Sequence, residues 1–503
     1  MIRARPAVVS PGVLLLAWDE PDDPAREDLM RTKIVATVGP STKEPAILRA
    51  LVDAGVRVFR LNFSHSDAKS FVRVIRAIRA VERESGISLT VLADLSGPKL
   101  RIGEVAGSPL NVEKGGVAIL GLPGRAGEVP PGTPFIPLDR PELLAGLAEG
   151  MPVNLSDGML QFRVSRGLVK DELFELTAEN PGLLTSHKGI VFPGKSIIIP
   201  ALTDKDRADI HEALDVGIDA AALSFVQTAQ DVLDLKAEIE ARRRWIPIIV
   251  KLERQQAVDN LESILDVADG VMVARGDLGQ ECPLSKLPII QKQIIQACRL
   301  RDKPVIVATQ MLLSMVSNPV PTRAETTDVA NAILDGADCV MLSEETAIGR
   351  WPVETVRAMR DIAEQAEGYA LDQAEGPALP EREGDPERTL AYCACLLAEQ
   401  TGAHHLVCHT RSGTTAQRVS GRRPRQPIHA LTPSREALGL LNFSWGVIPH
   451  LVGRKPDSHL GRCQQFVDRS PLVASGESVV ITAGEPTPGR RDLHTNQVKV
   501  YYK

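Results

Sequence analysis

GVMVARGDLG, residues 270–279, decides how the rest of the chain is read. An apolar run breaks off in Arg-Gly-Asp, the pattern of a strand buried on both faces that delivers one carboxylate, Asp277, to its carboxyl end. Upstream, IPIIVKLE (246–253) closes the same way, on Lys251 and Glu253. At a side-chain period of two these residues share a face, so one strand end presents a cation and an anion together.

Strand and helix patterns alternate with short connections on both sides of this pair. Strands are expected over 32–38, 56–63 and 89–95, with helices over 45–54 and 71–83. After Leu95 the style changes to Gly- and Pro-rich sequence with short alternating segments such as GVAIL, LQFRV and ELFEL. That composition predicts a small all-β domain inserted over 96–196. The alternation resumes with helices over 204–215, 229–242, 256–267, 286–300, 326–334 and 353–366, and with strands AALSFV, IPIIVKLE, GVMVAR, PVIVATQ and CVMLSEE. Eight strand and helix units predict a closed parallel (β/α)8 barrel over 31–95 and 197–370, with its chemistry at the strand carboxyl ends. A Pro-, Gly- and acid-rich linker over 371–387 leads to a second α/β domain over 388–503, read as helix 388–399, HLVCHT, helix 416–419, PIHAL, helix 435–441, SVVITAG and QVKVYY. Residues 1–30 read as a disordered extension: their apolar stretch contains Ser10 and Pro11, runs into Asp19 and Glu20, and lacks a signal-peptide cleavage site. Translation beginning at Met30 is the other expectation here, and the intact mass of the native protein decides it.

Bulk composition excludes several classes. A net charge of −6 and aromatic content of 4% argue against nucleic-acid binding. No apolar run approaches the roughly 18 residues of a membrane span. Seven cysteines, odd in number and scattered from Cys282 to Cys463, suit a reducing, cytoplasmic setting rather than a disulfide framework. Cys393 and Cys395 lack zinc-site neighbours and read as packing.

In FRLNFSHS (59–66), period two puts Phe59, Leu61 and Phe63 on one face and Arg60, Asn62 and Ser64 on the other. An amphipathic strand with a solvated face is the plain alternative, but neither face of a barrel strand meets bulk water. Asp94, Lys251, Glu253, Asp277 and Thr309 also fall at strand ends. Two carboxylates in oxygen-only company suit magnesium or manganese. Taken singly, Asp277 is equally a helix cap, and Lys251 and Glu253 equally a salt bridge. Arg60 can fork a phosphate, and the amides around Gly276 and Asp277 can receive an anion.

TKIVATVGPST, RLNFSHS, GPKLRIG, IPALTDKD, IVKLE, VMVARGDLG, ATQML and PTRAETTDVANAILDGADCVMLSEETA resemble the pyruvate kinase family, in order, from about residue 31 onward. The resemblance implies transfer of a phosphoryl group from phosphoenolpyruvate to ADP by a barrel with an inserted β-barrel lid and a terminal regulatory domain. It matches Glu253 and Asp277 to the metal ligands, Arg60 to the arginine on the transferred phosphoryl, Lys251 to the charge-neutralising lysine and Thr309 to the threonine at the proton-delivery face. Arg101 and His65 match nucleotide-side positions. It also implies a homotetramer and, at Ser412, Gly413, Thr414 and Thr415, a loop suited to the phosphate of a sugar-phosphate or nucleotide effector. A capped turn is the plain alternative there.

Family members that need potassium hold it near residues matching Asn62, Ser64, Asp94 and Leu95, and carry a glutamate where Lys99 stands. The resemblance is thus to the potassium-independent branch, in which the Lys99 ammonium replaces the monovalent cation. Arg254 replaces the usual Asn and Glu344 the usual Gly, without explanation from sequence. Two rivals stay open: another metal-dependent, enolate-handling barrel such as an aldolase or lyase, and a catalytically silent phospho-ligand-binding regulator.

Overall fold

The computed structural model describes residues 30–64, 67–156, 158–195, 199–380, 384–453, 458–484 and 495–503. His65 and, apart from Met30, the expected extension over 1–30 lie outside the described residues.

Eight parallel strands close into a barrel: β1 (Lys33–Thr37), β2 (Val56–Asn62), β3 (Thr90–Asp94), β4 (Ala220–Leu223), β5 (Ile248–Leu252), β6 (Gly270–Ala274), β7 (Val305–Ala308) and β8 (Cys339–Leu342), with β8 pairing back to β1. Every strand expected from the sequence is there, because runs rich in Val and Ile are what a strand covered on both faces requires. Alternation sorts the side chains. Val35, Val58, Leu92, Ala222, Ile249 and Met272 fill the interior, while Ile34, Phe59, Leu61, Val91 and Val250 pack outward against helices. Phe443, from the terminal domain, joins the interior cluster and is fully buried. The segment around it is tied to the barrel by Thr90 Oγ1 donating to Gly439 O at 2.9 Å and Asn442 Nδ2 donating to Ser88 O at 3.2 Å.

Some helix bounds differ from expectation. The helix expected over 256–267 is two helices, Gln255–Asp259 and Leu261–Val267, split at Asn260, whose side-chain amide donates to Gln227 O at 2.9 Å. The helix after β8, Pro352–Gln373, outruns its expected end, and the next, Pro386–Thr401, starts early, so the connection is shorter than 371–387.

The insert is mainly β, as expected, with a one-turn helix at Pro141–Leu144 and a 3-10 segment at Pro123–Glu128 added. Six strands form one sheet in the order 190–191, 152–155, 160–169, 173–178, 117–121 and 135–137, over a core of its own. Bulges at Val164/Arg166 and Gly167/Val169 in the long strand are the device that curls it. The terminal domain is a five-stranded sheet, ordered 447–451, 428–432, 405–409, 478–483 and 497–502, parallel except for the last strand. The strand Val447–Leu451 and the helix His459–Arg469 were not expected from the sequence.

Candidate active site

Toward the carboxyl end of the barrel the inward-facing series change from apolar to polar: Val58 to Arg60 and Asn62, Leu92 to Asp94, Ala222 to Ser224, Ile249 to Lys251 and Glu253. Asp94 is the hub. It accepts from Arg60 Nε at 2.6 Å and stands 3.2 Å from Lys251 Nζ. Lys251 Nζ donates to Ser224 Oγ at 2.8 Å and lies 2.8 Å from Glu253 Oε1. Ser224 Oγ donates to Leu95 O at 2.7 Å, and Arg60 Nη1 donates to Thr37 Oγ1 at 3.0 Å. The second oxygen of Glu253 accepts from the Phe225 amide at 2.7 Å, where the chain turns through a left-handed φ of 57°.

Burial works against charge on each of these groups, and the neighbours decide which keeps it. Burial raises the Asp94 carboxyl, but Lys251 and Arg60 outweigh it and hold Asp94 below its ordinary value. Burial likewise opposes the Lys251 ammonium, yet Asp94 and Glu253 leave its pKa raised. For Glu253 burial wins: the carboxyl is pushed up to about 7, with Lys251 opposing and Asp277 adding to the rise. Asp94 thus stays ionised beside Arg60 and Lys251, while Glu253 ionises less readily than an ordinary carboxyl.

Glu253, together with Asp277 at the next strand end, could hold a divalent cation. Among the described residues no group of three or more His, Cys, Asp or Glu could enclose a metal. A pair of carboxylates leaves the remaining positions to substrate and water, as suits magnesium or manganese. Asp277 lies in the first turn of the short helix Arg275–Glu281 that follows β6. The Gly276 amide donates to Thr309 Oγ1 at 2.8 Å, joining the ends of β6 and β7. Thr309 itself has φ 72°.

Other expected residues stand further out. Asn62 Oδ1 accepts from the Ser64 amide at 3.0 Å, and Leu95 is fully buried. Lys99 is exposed and lines a cavity of about 230 Å3 with Phe225, Arg254, Asp277 and Glu281, between barrel and insert. Arg101, at the foot of the insert, donates from Nη1 to His187 O at 2.8 Å. In the terminal domain Gly413 has φ 96° and its amide donates to Thr410 Oγ1 at 3.0 Å. Ser412 and Thr414 hydroxyls lie 2.9 Å apart, and Thr415 Oγ1 is 2.8 Å from Thr495 Oγ1.

Arg254 now has a setting: it is 6% exposed, its guanidinium lies 5.5 Å from the Phe225 ring centre, and it opposes the burial that pushes Glu281 up to about 7. Glu344 is exposed, and nothing in the structure explains it. Sequence reasoning missed Ser224, Thr37 and Arg275. Ser224 was within reach, since AALSFV places it on the same period-two face as Ala222.

A closed α/β barrel with an inserted β domain, whose mouth gathers Arg60, Lys251 and the carboxylates Asp94, Glu253 and Asp277, defines a class of α/β-barrel proteins with a charged strand-end site. The model of "Pyruvate kinase, barrel domain" matches residues 29–356, and that of "Pyruvate kinase, alpha/beta domain" matches residues 388–501. A pyruvate kinase of Agrobacterium vitis is 43% identical over 465 residues, covering 91% of this chain and 94% of that protein. One from Methylorubrum extorquens is 38% identical, with 94% and 97% covered, and one from Geobacillus stearothermophilus is 39% identical, with 94% and 80% covered. The chain belongs to the pyruvate kinase family.

Proposed function

We propose that this protein transfers the phosphoryl group of phosphoenolpyruvate to ADP, giving ATP and pyruvate. The observation that carries the reading is the buried Arg60–Asp94–Lys251–Glu253 network at the strand ends beside Asp277. Phosphoryl transfer needs little covalent help and much positioning and charge neutralisation. Arg60 grips the phosphoryl oxygens with a guanidinium oriented by Asp94 and Thr37. Lys251, kept charged by two carboxylates, neutralises the phosphoryl as it leaves and then the enolate oxygen. Asp277 and the amides at Gly276 and Asp277 border the substrate carboxylate. Thr309 stands at the face where the enolate carbon takes its proton. Glu253 and Asp277 would hold magnesium or manganese, which when bound supplies positive charge to the phosphoryl and carboxylate oxygens. Arg101 and His65 attend the nucleotide, and the insert closes over the mouth to exclude water.

The finer parts of this reading concern setting and control. Lys99 stands in for potassium near Asn62, Ser64, Asp94 and Leu95. The loop Ser412–Gly413–Thr414–Thr415 receives the phosphate of a sugar-phosphate or nucleotide effector, and four copies assemble in the cytoplasm. All seven cysteines are free, and no helix among the described residues is long and apolar enough to cross a membrane. Purified protein supplied with phosphoenolpyruvate, ADP and magnesium tests the reaction. ATP and pyruvate in equal amounts are expected; their absence would favour the silent regulator or the aldolase-like rival.

A further inference from the structure

Thr309 is a strained residue of the mouth. A β-branched side chain at φ 72° is a true outlier, and Gln310 continues the left-handed turn at φ 54°. Such a conformation costs about 1–3 kcal/mol and persists only where its surroundings over-determine it.

Its restraint comes from Arg275 and Gly276. The Gly276 amide donates to Thr309 Oγ1 at 2.8 Å, and Arg275 Nη2 donates to the Thr309 carbonyl at 2.9 Å. The other arm of the guanidinium, Nη1, is held at 2.8 and 2.7 Å by the two carboxylate oxygens of Asp328, on the helix Arg323–Leu334. The Arg275 side chain is only 11% exposed, and Nη2 also rests 2.8 Å from Met311 Sδ. Carbonyl and hydroxyl of one strained threonine are thus clamped by two consecutive residues, and the clamp is anchored outside the mouth.

We propose that Arg275 is a positioning residue for Thr309, holding its carbonyl so that its hydroxyl faces the carbon that is protonated. Asp328 fixes Arg275 in turn. This deepens the proposed reaction and rests on it. If the clamp serves proton delivery, its loss separates two quantities that a merely structural residue would move together: exchange of the pyruvate methyl hydrogens with solvent, and binding of phosphoenolpyruvate.

The test compares wild type with Arg275→Met, Arg275→Lys and Asp328→Asn. Deuterium entry into pyruvate is followed by NMR with magnesium, with and without inorganic phosphate, beside kcat, KM for phosphoenolpyruvate and thermal unfolding. Because small misplacements of a reacting group are costly in rate, Arg275→Met is expected to slow exchange about tenfold or more, with KM changed less than about threefold. Arg275→Lys, which keeps one charged donor, recovers part of the loss, and Asp328→Asn shows a smaller loss in the same direction. Exchange within about twofold of wild type in Arg275→Met, or a raised KM with exchange intact, overturns the inference. Should Arg275→Met fail to fold, unchanged exchange in Asp328→Asn overturns it. A wild type that makes no ATP from phosphoenolpyruvate and ADP overturns the parent reading as well, whereas an active wild type with unaffected variants overturns the positioning role alone.

Discussion

Arg60 and Lys251 bring two positive charges into a buried mouth and together hold the Asp94 carboxyl below its ordinary value. The proposal that the exposed Lys99 stands in for potassium puts its charge to a direct test. Lys99→Glu is expected to turn a potassium-indifferent activity into one that falls about tenfold, or about 1.4 kcal/mol, when potassium is replaced by a tetraalkylammonium ion. A variant equally active in both salts would remove Lys99 from that role. Arg60, Asp94, Lys251 and Glu253 were legible in the sequence because period-two alternation alone decides which residues of a barrel strand face inward. The left-handed backbone at Phe225 and Thr309 was not: neither residue is a glycine, and only tertiary contacts force such residues to positive φ. Arg275 was hidden for a related reason, since its partners Asp328 and the Thr309 carbonyl lie far along the chain.

The loops and strands that carry these residues have their own tests. Gly97, where the insert leaves the barrel, has φ 64°, and a Cβ there would lie 2.7 Å from the Phe225 ring and 3.0 Å from Ser224 Cβ. Gly97→Ala combines left-handed strain with overpacking and should cost about 2 kcal/mol or more, displacing the loop that holds Glu253 and Lys251. Unchanged thermal stability and turnover would show that loop to be slack. In the terminal sheet the ring nitrogens of His429 lie 3.1 Å from His405 and 3.1 Å from His450, with Phe466 packed on the row. Burial, with His450 and His405 adding, pushes His429 from 6.5 down to about 3. A folded pKa below the unfolded one means that stability is complete above about pH 6.5 and is lost as pH falls toward about 3, by up to a few kcal/mol. Thermal unfolding of His429→Gln should depend less on pH across that window; an identical dependence would exonerate the row. Val447–Leu451 went unread because Pro449 argues against a strand, yet it lies at the sheet edge, where a missing N–H is tolerated. The helix His459–Arg469 was hidden by its narrow apolar stripe, only Cys463 and Val467 being buried.

Across the whole molecule, the terminal domain closes the end of the barrel opposite the candidate site. Phe443 completes the interior cluster, Cys339 Sγ donates to its carbonyl at 3.2 Å, and Arg423 stacks 4.9 Å from the Trp445 ring while pairing with Asp338 at 3.0 Å. Phe443→Ala should remove about 3–5 kcal/mol and loosen this junction, read as a lower unfolding midpoint with the two domains melting apart. A single unshifted transition would deny the junction that weight. Whether the strand-end network moves phosphoryl groups is decided by measuring ATP formed from phosphoenolpyruvate, ADP and magnesium by wild type and Lys251→Met side by side. The proposed role of Lys251 predicts turnover by wild type and a loss of about 10²–10³-fold in a folded Lys251→Met. An inactive wild type, or a Lys251→Met protein as active as wild type, would contradict it.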